Sequence, residues 1–304
     1  MAAPPQRPVP SGWRAWLAGA RPRTLPAAIV PVVVGTACAA TPGPIIAWRA
    51  LAAGAVALLL QIGTNFANDY SDGVRGTDDP GRRVGPVRLV GWGIKPPSSV
   101  KAAAFLCFGG AAAAGLALAV AVGPELLVVG AAAIAAGWFY TGGKHPYGYY
   151  GFGELFVFVF FGLVATAGSA YVQHEQLTAL AIVAGVPVGF FATALLVINN
   201  LRDIPGDTES GKRTLAVRIG DRRTRVLYVG LLVVAFLVFV PIVAGGFGHP
   251  GAAAALVGVV LGRRPVAKVL DGVRGPDLIP VLAATGQLQL ISGLFFAAGI
   301  WLTH

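Results

Sequence analysis

The sequence predicts an all-α polytopic membrane protein that crosses the bilayer about nine times. Of its 304 residues, 56% are hydrophobic and only 12% are charged, and the mean hydropathy is +0.72. This balance is too apolar for a soluble domain and is typical of a chain with many membrane-spanning helices. A polar motif that occurs twice, 131 positions apart, indicates that the helices form two related halves.

The prediction of membrane-spanning helices rests on nine apolar segments. Most approach the roughly 20 residues that a bilayer span requires. The eighth is the weakest, because it is short and rich in glycine. The segments lie at residues 24–41, 50–67, 102–122, 125–141, 154–171, 177–199, 226–245, 249–262 and 280–302.

We interpret residues 1–304 as a single transmembrane domain. The N-terminus is expected to be flexible and cytoplasmic, with Trp13 and Trp16 near the membrane interface. A final helix follows the two halves. The parts are residues 1–20 for the N-terminus, 21–150 for the first half, 151–270 for the second half and 271–304 for the last helix.

The distribution of Lys and Arg predicts the orientation. Of the 23 basic residues, all except Arg49 fall in the N-terminus or in loops on one side of the nine segments. The positive-inside rule assigns that side to the cytoplasm. A net charge of +10 could suggest nucleic acid in a soluble protein, but here the charges follow the topology. We therefore predict a multi-pass protein of the cell inner (plasma) membrane with the lipid bilayer as a partner and no nucleic acid.

The repeated motif is Asn-x-x-x-Asp at the end of a long apolar segment. Asn68 and Asp72 form it in the first half, and Asn199 and Asp203 form it 131 positions later. Each copy is followed by two arginines five positions apart, and the two pairs are offset by 130 positions. These pairs are Arg83 with Arg88 and Arg213 with Arg218.

The residue types in the motif point to metal and phosphate chemistry. Residues at i and i+4 lie on one face of a helix, so each Asn and Asp form an oxygen cluster at a helix end. Two such clusters facing each other, with no His or Cys nearby, predict Mg²⁺ that shares its coordination with a substrate's phosphates. Carboxylates, Mg²⁺ and several cations together would stabilise a diphosphate leaving group. A site poor in water would suit an allylic cation.

Simpler explanations exist for several other polar residues. Asp69 is either a metal ligand or a helix-end partner for an Arg. Asp78 and Asp79 fit a glycine-rich turn, although one of them could reach the metal. Glu154 is at most a supporting group, because a carboxylate at a helix start also favours the helix dipole. Further arginines and tyrosines are expected to contact lipid or the interface: Arg222, Arg223, Arg225, Arg263, Arg264, Tyr70, Tyr147, Tyr149 and Tyr150.

At these motifs the sequence resembles the UbiA superfamily of intramembrane prenyltransferases, and within it the 1,4-dihydroxy-2-naphthoate polyprenyltransferases of the menaquinone pathway. The match covers about two-thirds of the chain, between residues 20 and 220. The stretches that carry it are residues 20–26, 68–72, 83–88, 140–143, 151–154, 199–203 and 211–220.

The resemblance implies a UbiA-type helical bundle and Mg²⁺-dependent transfer of a polyprenyl chain from polyprenyl diphosphate to 1,4-dihydroxy-2-naphthoate. The ring carboxylate is lost, and the products are demethylmenaquinone, diphosphate and CO₂. The implied metal ligands are Asn68, Asp72, Asp203 and Asp207, with Asp78 as a further candidate. The same four residues and Tyr140 are implied in catalysis. The implied substrate-binding residues are Arg88, Lys144, Arg213, Arg218 and Asn199.

Two positions depart from the superfamily pattern. The common third Asp, four positions after the second, is Gly76 here, and the nearest carboxylate is Asp78. Lys144 lies four positions after Tyr140, as in the wider superfamily, whereas naphthoate members often have Lys at the position of His145. Either residue could contact the diphosphate, and we expect Lys144 to do so because its charge does not depend on cytoplasmic pH.

Three alternatives stay open from the sequence. A related enzyme could use another aromatic acceptor such as 4-hydroxybenzoate. The spacing Asp69-x-x-Asp72-Gly73 is also found in CDP-alcohol phosphotransferases, but the rest of their pattern is absent. A secondary transporter also has repeated halves, although its polar residues should lie near the middle of the bilayer. The sequence predicts neither the prenyl chain length nor the oligomeric state.

Overall fold

Helices account for all regular secondary structure in residues 10–41, 43–77 and 87–303, the parts of the chain that the computed structural model describes. The prediction of an all-α membrane protein is therefore confirmed. Three residues that the sequence analysis singled out, Asp78, Asp79 and Arg83, lie outside the described residues.

The first half begins with a bent pair of helices. Helix α1 ends where Arg21 adopts a left-handed conformation, with φ of 52°. A short 3₁₀ turn at Pro22–Thr24 then leads into α2, which starts at Pro26, a residue suited to the first turn of a helix. The helices of this half are α1 (Gly12–Ala20), α2 (Pro26–Ala39), α3 (Ala47–Val74), α4 (Pro97–Ala121) and α5 (Glu125–Phe139).

The second half contains several irregular helical turns. A π-helical segment at Phe158–Val164 joins α6 to α7, and two more π segments and a 3₁₀ segment separate α9 from α10. The regular helices are α6 (Gly153–Val157), α7 (Ala165–His174), α8 (Ala179–Glu209), α9 (Leu215–Val234), α10 (Val257–Leu270) and α11 (Leu278–Leu302).

Within the described residues, six helices are long and apolar enough to cross a membrane, or seven if the bent pair of α1 and α2 forms one span. The remaining predicted spans correspond to shorter elements. Helix α5 has 15 residues, and α10 has 14 residues that include Arg263, Arg264 and Lys268. The chain is thus a multi-pass membrane protein, and the number nine stays a prediction.

Packing does not follow the two halves of the sequence. The largest buried apolar cluster joins α2 of the first half to α7, α8 and α9 of the second half and to the last helix, α11. Small residues allow the helices to approach closely, as expected in lipid. A Cβ atom added at Gly162 would lie 2.5 Å from the Cα atom of Gly189 in α8. The sequence halves are therefore interlocked by α2.

Two long helices carry the repeated motif at equivalent ends. Helix α3 has 28 residues and contains Asn68 and Asp72 in its last two turns. Helix α8 has 31 residues and contains Asn199 and Asp203 in its last third. Both helices continue well beyond the apolar segments that the sequence analysis identified, so all four motif residues are helical.

Candidate active site

A cavity of about 710 Å³ runs through the bundle between helices of both halves. One end, which we call the polar end, is lined by charged side chains. The other end, which we call the apolar end, is lined only by hydrophobic and small residues. Along α3 the cavity extends from Asp72 to Ala53, which is about 28 Å at the helical rise per residue.

The polar end brings together most of the residues that the sequence predicted. Seven of them line the cavity: Asn68, Asp72, Arg88, Tyr140, Asn199, Asp203 and Asp207. Three others, Lys144, Arg213 and Arg218, are exposed and do not belong to the lining. The remaining candidate, Asp78, is outside the described part of the chain.

The first-half carboxylate is held by groups that are distant in the sequence. Asp72 Oδ1 accepts a hydrogen bond of 2.6 Å from the Tyr149 hydroxyl, and Asp72 Oδ2 lies 2.9 Å from the Lys212 ammonium nitrogen. Asn68 Oδ1 accepts a hydrogen bond of 2.7 Å from the Thr141 hydroxyl. Thus the loop after α5 and the loop after α8 both close on the end of α3.

The second-half carboxylate forms an ion pair within its own helix. Arg202 donates to both oxygens of Asp203, from Nε and Nη2, at 2.7 Å each. The same Nη2 donates to Asn199 Oδ1 at 2.9 Å. Arg202 and Asp203 are both buried, so this bidentate ion pair is shielded from water.

Lys212 and Tyr149 are site residues that the sequence analysis missed. The Lys212 ammonium lies 4.8 Å from the centre of the Tyr149 ring, and both residues line the cavity. Burial, and the neighbouring Asp72, raise the pKa of the Tyr149 hydroxyl, so it remains a hydrogen-bond donor to that carboxylate. A signal for Lys212 existed in the repeat, because Gly211-Lys212 matches Gly81-Arg82 at the same offset of 130.

Asp69 faces away from the cavity. Its two oxygens accept hydrogen bonds of 2.9 Å from the backbone N–H groups of Leu89 and Val90. Asp69 is completely buried. It therefore anchors the segment that carries Arg88, and it is neither a cavity ligand nor only a partner of an Arg side chain.

Glu154 supports the second motif from behind. Its Oε1 accepts a hydrogen bond of 2.9 Å from the Asn200 side chain, and both residues are buried. Since Asn200 follows Asn199 on α8, this contact fixes the rotation of the helix near the site. The position agrees with the interpretation of Glu154 as a supporting group.

A polar network continues the site one step deeper along α3. The Gln61 and Asn65 side-chain amides both donate to the Thr24 hydroxyl at 3.1 Å, and Asn65 also donates to the Ala20 carbonyl oxygen at 2.9 Å. Residues 61, 65, 68 and 72 share one face of α3 because of their helical spacing. That spacing is present in the sequence, although only its carboxylate end belongs to the repeated motif.

A smaller cavity of about 200 Å³ adjoins the polar end. Arg202, Asp203 and Asp207 line both cavities. The smaller one is otherwise bounded by residues 75–77 at the end of α3 and by residues at the end of α8. The second-motif carboxylates therefore separate two spaces.

The structure places neither Lys144 nor His145 in the cavity. Both side chains are exposed, and His145 Nδ1 lies 3.3 Å from the Tyr150 hydroxyl. The preceding residues 141–143 are fixed by Arg75, whose guanidinium donates to the carbonyl oxygens of Thr141 and Gly143. The choice between Lys144 and His145 as a phosphate contact thus stays a prediction, whereas Lys212 is already at the polar end.

The donor set at the polar end fits Mg²⁺ bound together with a phosphate-containing substrate. Among residues 10–41, 43–77 and 87–303, no three His, Cys, Asp or Glu side chains converge closely enough to hold a metal ion alone. Mg²⁺ usually takes only one or two carboxylates and fills its shell with water and phosphate oxygens. Asn68, Asp72, Asp203 and Asp207 supply hard oxygen donors in one cavity, as that mode of binding requires.

Fold and site together define a helical membrane protein suited to an amphipathic substrate with an anionic head and a long apolar tail. Residues 28–275 match the UbiA prenyltransferase family, and the chain belongs to that family. It is therefore a prenyltransferase.

Among curated relatives, the chain is 51% identical to the 1,4-dihydroxy-2-naphthoate octaprenyltransferase of Mycobacterium tuberculosis, over 94% of this chain and 96% of that one. It is 38% identical to the protein of the same name from Escherichia coli, over 96% of each chain.

Solved structures of low sequence identity share the fold. A UbiA homolog from Aeropyrum pernix in its apo form has a TM-score of 0.66 at 15% identity, covering 91% of this chain and 96% of that one. A UbiA homolog from Archaeoglobus fulgidus, solved with DMAPP and Mg²⁺, has a TM-score of 0.59 at 16% identity, covering 94% and 98%. The prediction of a UbiA-type bundle is thus confirmed.

Proposed function

We propose that the protein transfers a polyprenyl chain from polyprenyl diphosphate to 1,4-dihydroxy-2-naphthoate, with loss of the ring carboxylate. The products are demethylmenaquinone, diphosphate and CO₂, a step of menaquinone biosynthesis. The observation that carries the proposal is the single cavity that joins a charged end, built from both copies of the motif, to an apolar end. The names of the relatives support naphthoate as the acceptor.

Four residues are proposed to hold Mg²⁺ together with the diphosphate: Asn68, Asp72, Asp203 and Asp207. When bound, the ion would neutralise charge that develops on the departing diphosphate. Asn199 is proposed as the repeat partner of Asn68. The Mg²⁺ of a structural neighbour supports the assignment. Asp78 stays a candidate ligand, in the segment outside the described residues.

The cations of the polar end are proposed to bind the diphosphate oxygens. Arg88, Arg202 and Lys212 line the cavity beside the carboxylates, and all three are buried. Charge-assisted hydrogen bonds are strong in such surroundings, because little water competes for the donors. Arg213, Arg218 and Lys144 are exposed, so we propose that they act at the rim, where they attract the anionic head before it enters.

Tyr140 and the apolar wall are proposed to surround the allylic carbon. The Tyr140 ring contacts the Tyr147 ring edge to face, with 5.6 Å between their centres, and both residues line the cavity. The electron-rich face of an aromatic ring stabilises a nearby positive charge. The apolar lining excludes water, which would otherwise capture the cation.

The proposed location is the cell inner (plasma) membrane, with the N-terminus and the polar end on the cytoplasmic side. The apolar helices define a multi-pass protein. The orientation rests on the Lys and Arg residues, of which, within residues 10–41, 43–77 and 87–303, only Arg49 lies at the opposite ends of the helices.

The experiment that tests this proposal uses the purified protein in lipid nanodiscs. It is incubated with octaprenyl diphosphate and either 1,4-dihydroxy-2-naphthoate or 4-hydroxybenzoate, and the product masses are recorded. Of the two acids, we expect only naphthoate to give a prenylated, decarboxylated product. Turnover should be lost with EDTA and should recover with Mg²⁺. Product from 4-hydroxybenzoate alone would assign a different acceptor, and no product from either acid would contradict the proposed transferase reaction.

A further inference from the structure

The apolar end of the cavity has a level at which three helices contribute glycine. Gly115 lies six residues before the end of α4, Gly130 five residues after the start of α5, and Gly168 six residues before the end of α7. At 1.5 Å per residue, all three are about 8–9 Å from the helix ends that are remote from the motifs. All three line the cavity, and we call them the glycine belt.

The glycine belt faces open space. A Cβ atom added at Gly130 or Gly168 would meet no atom within 4 Å, and one added at Gly115 would meet only Val56 Cγ2, at 4.0 Å. Helix packing therefore does not require glycine at these positions, whereas Gly137 on α5 would place a Cβ atom 2.7 Å from Thr64 Oγ1. Because the three glycines have no side chains, the cavity is wider toward its apolar end.

Beyond the belt the cavity is lined by Leu118, Leu126 and Val172, which pack together in one apolar cluster, and we call these three residues the floor. Arg49, the one Lys or Arg on this side among the residues that the structure describes, joins the helices under the floor. Its Nη1 donates to the Val172 carbonyl oxygen at 2.9 Å, and its Nη2 donates to the Ala121 carbonyl oxygen at 3.1 Å. Arg49 thereby connects α3 with the ends of α4 and α7.

Two further hydrogen bonds complete the connection. The Tyr171 hydroxyl of α7 donates to Glu125 Oε1 at the start of α5, at 2.6 Å. The backbone N–H of Ile46, just before α3, donates to Gln173 Oε1 at 2.8 Å. Thus α3, α4, α5 and α7, which all line the apolar end, are tied to one another at the level of the floor.

We propose that the glycine belt and the floor set the length of prenyl chain that the enzyme uses best. The inference rests on the proposed function, because the occupant of the apolar end is taken to be the tail of the prenyl diphosphate. The diphosphate is held at the polar end, so each added isoprene unit must be placed further toward the belt. A side chain at the belt would shorten the available space without touching the diphosphate site.

The test compares belt variants with a matched variant on the outer surface of the same helix. Gly115→Leu and Gly130→Leu are assayed with geranyl, farnesyl, geranylgeranyl and octaprenyl diphosphates, and kcat/KM is measured for each. Gly109→Leu is the control, because Gly109 on α4 is exposed, is absent from the cavity lining and has nothing within 4 Å of an added Cβ. Thermal unfolding confirms that each variant is folded, and Gly168→Leu replaces either belt variant that is not.

We expect the octaprenyl to geranyl ratio of kcat/KM to fall by about tenfold or more in the belt variants, as for steric exclusion from an apolar pocket. The ratio in Gly109→Leu should equal that of the wild type. Leu118→Ala, which lowers the floor, should shift the ratio toward the longer chain. Folded belt variants with the wild-type ratio would overturn the inference. A wild-type enzyme that transfers no chain of any length would instead contradict the proposed function.

Discussion

The two copies of the motif occupy equivalent helix ends but are held in place differently. In the first half, Asp72 is held by Tyr149 and Lys212, which are 77 and 140 positions away in the chain. In the second half, Asp203 is held by the adjacent Arg202, which also binds Asn199. Asp72 thus has partners that are distant in the chain, whereas Asp203 forms an ion pair with the residue next to it in α8.

The difference shows what a sequence repeat can and cannot predict. Position 202 is an arginine in the second half, but the equivalent position in the first half is Ser71. The first-half carboxylate has no basic residue next to it in the sequence, and the Lys212 ammonium that binds it comes from the loop after α8. The oxygen ligands recur in both halves, but the arginine beside the second-half carboxylate has no counterpart beside the first-half one.

The largest expected effect comes from removing either carboxylate. Asp72→Asn and Asp203→Asn keep the shape of the side chain and remove the charge that both Mg²⁺ binding and the ion pairs require. We expect each to lower kcat by about a hundredfold or more, because a charge-stabilising group at the leaving group is lost. Asp271→Asn, at an exposed helix end, is the matched control and should leave kcat unchanged. If either cavity variant turned over like the wild type at limiting Mg²⁺, the two-cluster site would be wrong.

The next effect distinguishes a buried lysine from an exposed one. Lys212→Met should raise the KM for prenyl diphosphate by about tenfold and reduce the free energy of unfolding, since loss of one partner of a buried pair costs about 3–5 kcal/mol. Lys144→Met, at an exposed position, should change both quantities little.

Lys212→Arg distinguishes an effect of charge from an effect of packing, because it keeps the positive charge and changes the shape of the side chain. A KM close to that of the wild type in this variant would show that the charge is what matters. A normal KM in Lys212→Met, together with a large rise in Lys144→Met, would assign the phosphate contact to Lys144, as the sequence predicts. His145→Gln should leave the KM for prenyl diphosphate unchanged at every pH in either case, because the exposed imidazole lies outside the cavity.

A smaller effect compares the repeat-equivalent arginines. Arg88 is buried in the cavity lining, whereas Arg218 is exposed and donates from Nε to the Arg213 carbonyl oxygen at 3.0 Å. Arg88→Gln should raise the KM for prenyl diphosphate several-fold more than Arg218→Gln, and neither should alter the KM for the aromatic acid. Equal rises in the KM of both substrates would indicate a folding defect instead.

The smallest effect concerns the hydroxyl that binds Asp72. Tyr149→Phe removes a hydrogen bond to a charged group, which is worth about 1.5–3 kcal/mol, and part of that loss will appear as lower thermal stability. Because the pKa of Tyr149 is raised by burial, its hydroxyl stays protonated across the neutral range, so the ratio of variant to wild-type activity should not change with pH. Tyr150→Phe, at an exposed ring, is the control.

Much of the fold could be predicted because hydrophobicity identifies the part of a helix that lies in lipid. The predicted segment at 50–67 is contained in α3, and the segment at 177–199 overlaps most of α8. The ends were missed for a physical reason: the apolar character stops near Ala67, while backbone hydrogen bonding continues to Val74. The motif residues were therefore expected at helix ends and are found inside helical turns.

The sequence predicted those site residues that belong to the repeat. It did not predict those that a loop contributes. Asn68, Asp72, Asn199 and Asp203 could be identified from their spacing, and all four line the cavity. Tyr149 was assigned to the interface because aromatic residues near helix ends are common there. Its contact with Asp72 depends on how the loop between α5 and α6 folds, and no local pattern encodes that. Asp69 shows the converse, since the residue next to Asn68 points in another direction.

The lengths of α3 and α8 have a consequence for the membrane itself. At 1.5 Å per residue these helices measure about 42 and 46 Å, whereas the hydrocarbon core is about 30 Å thick, so each helix is longer than the core, and the polar motif near its end is the part that hydrocarbon accommodates least. A thicker bilayer would draw those ends toward hydrocarbon and raise the cost of hydrating the carboxylates and the incoming diphosphate. Lipid acyl length should therefore tune the turnover rate of the reconstituted enzyme with no change in its amino-acid sequence.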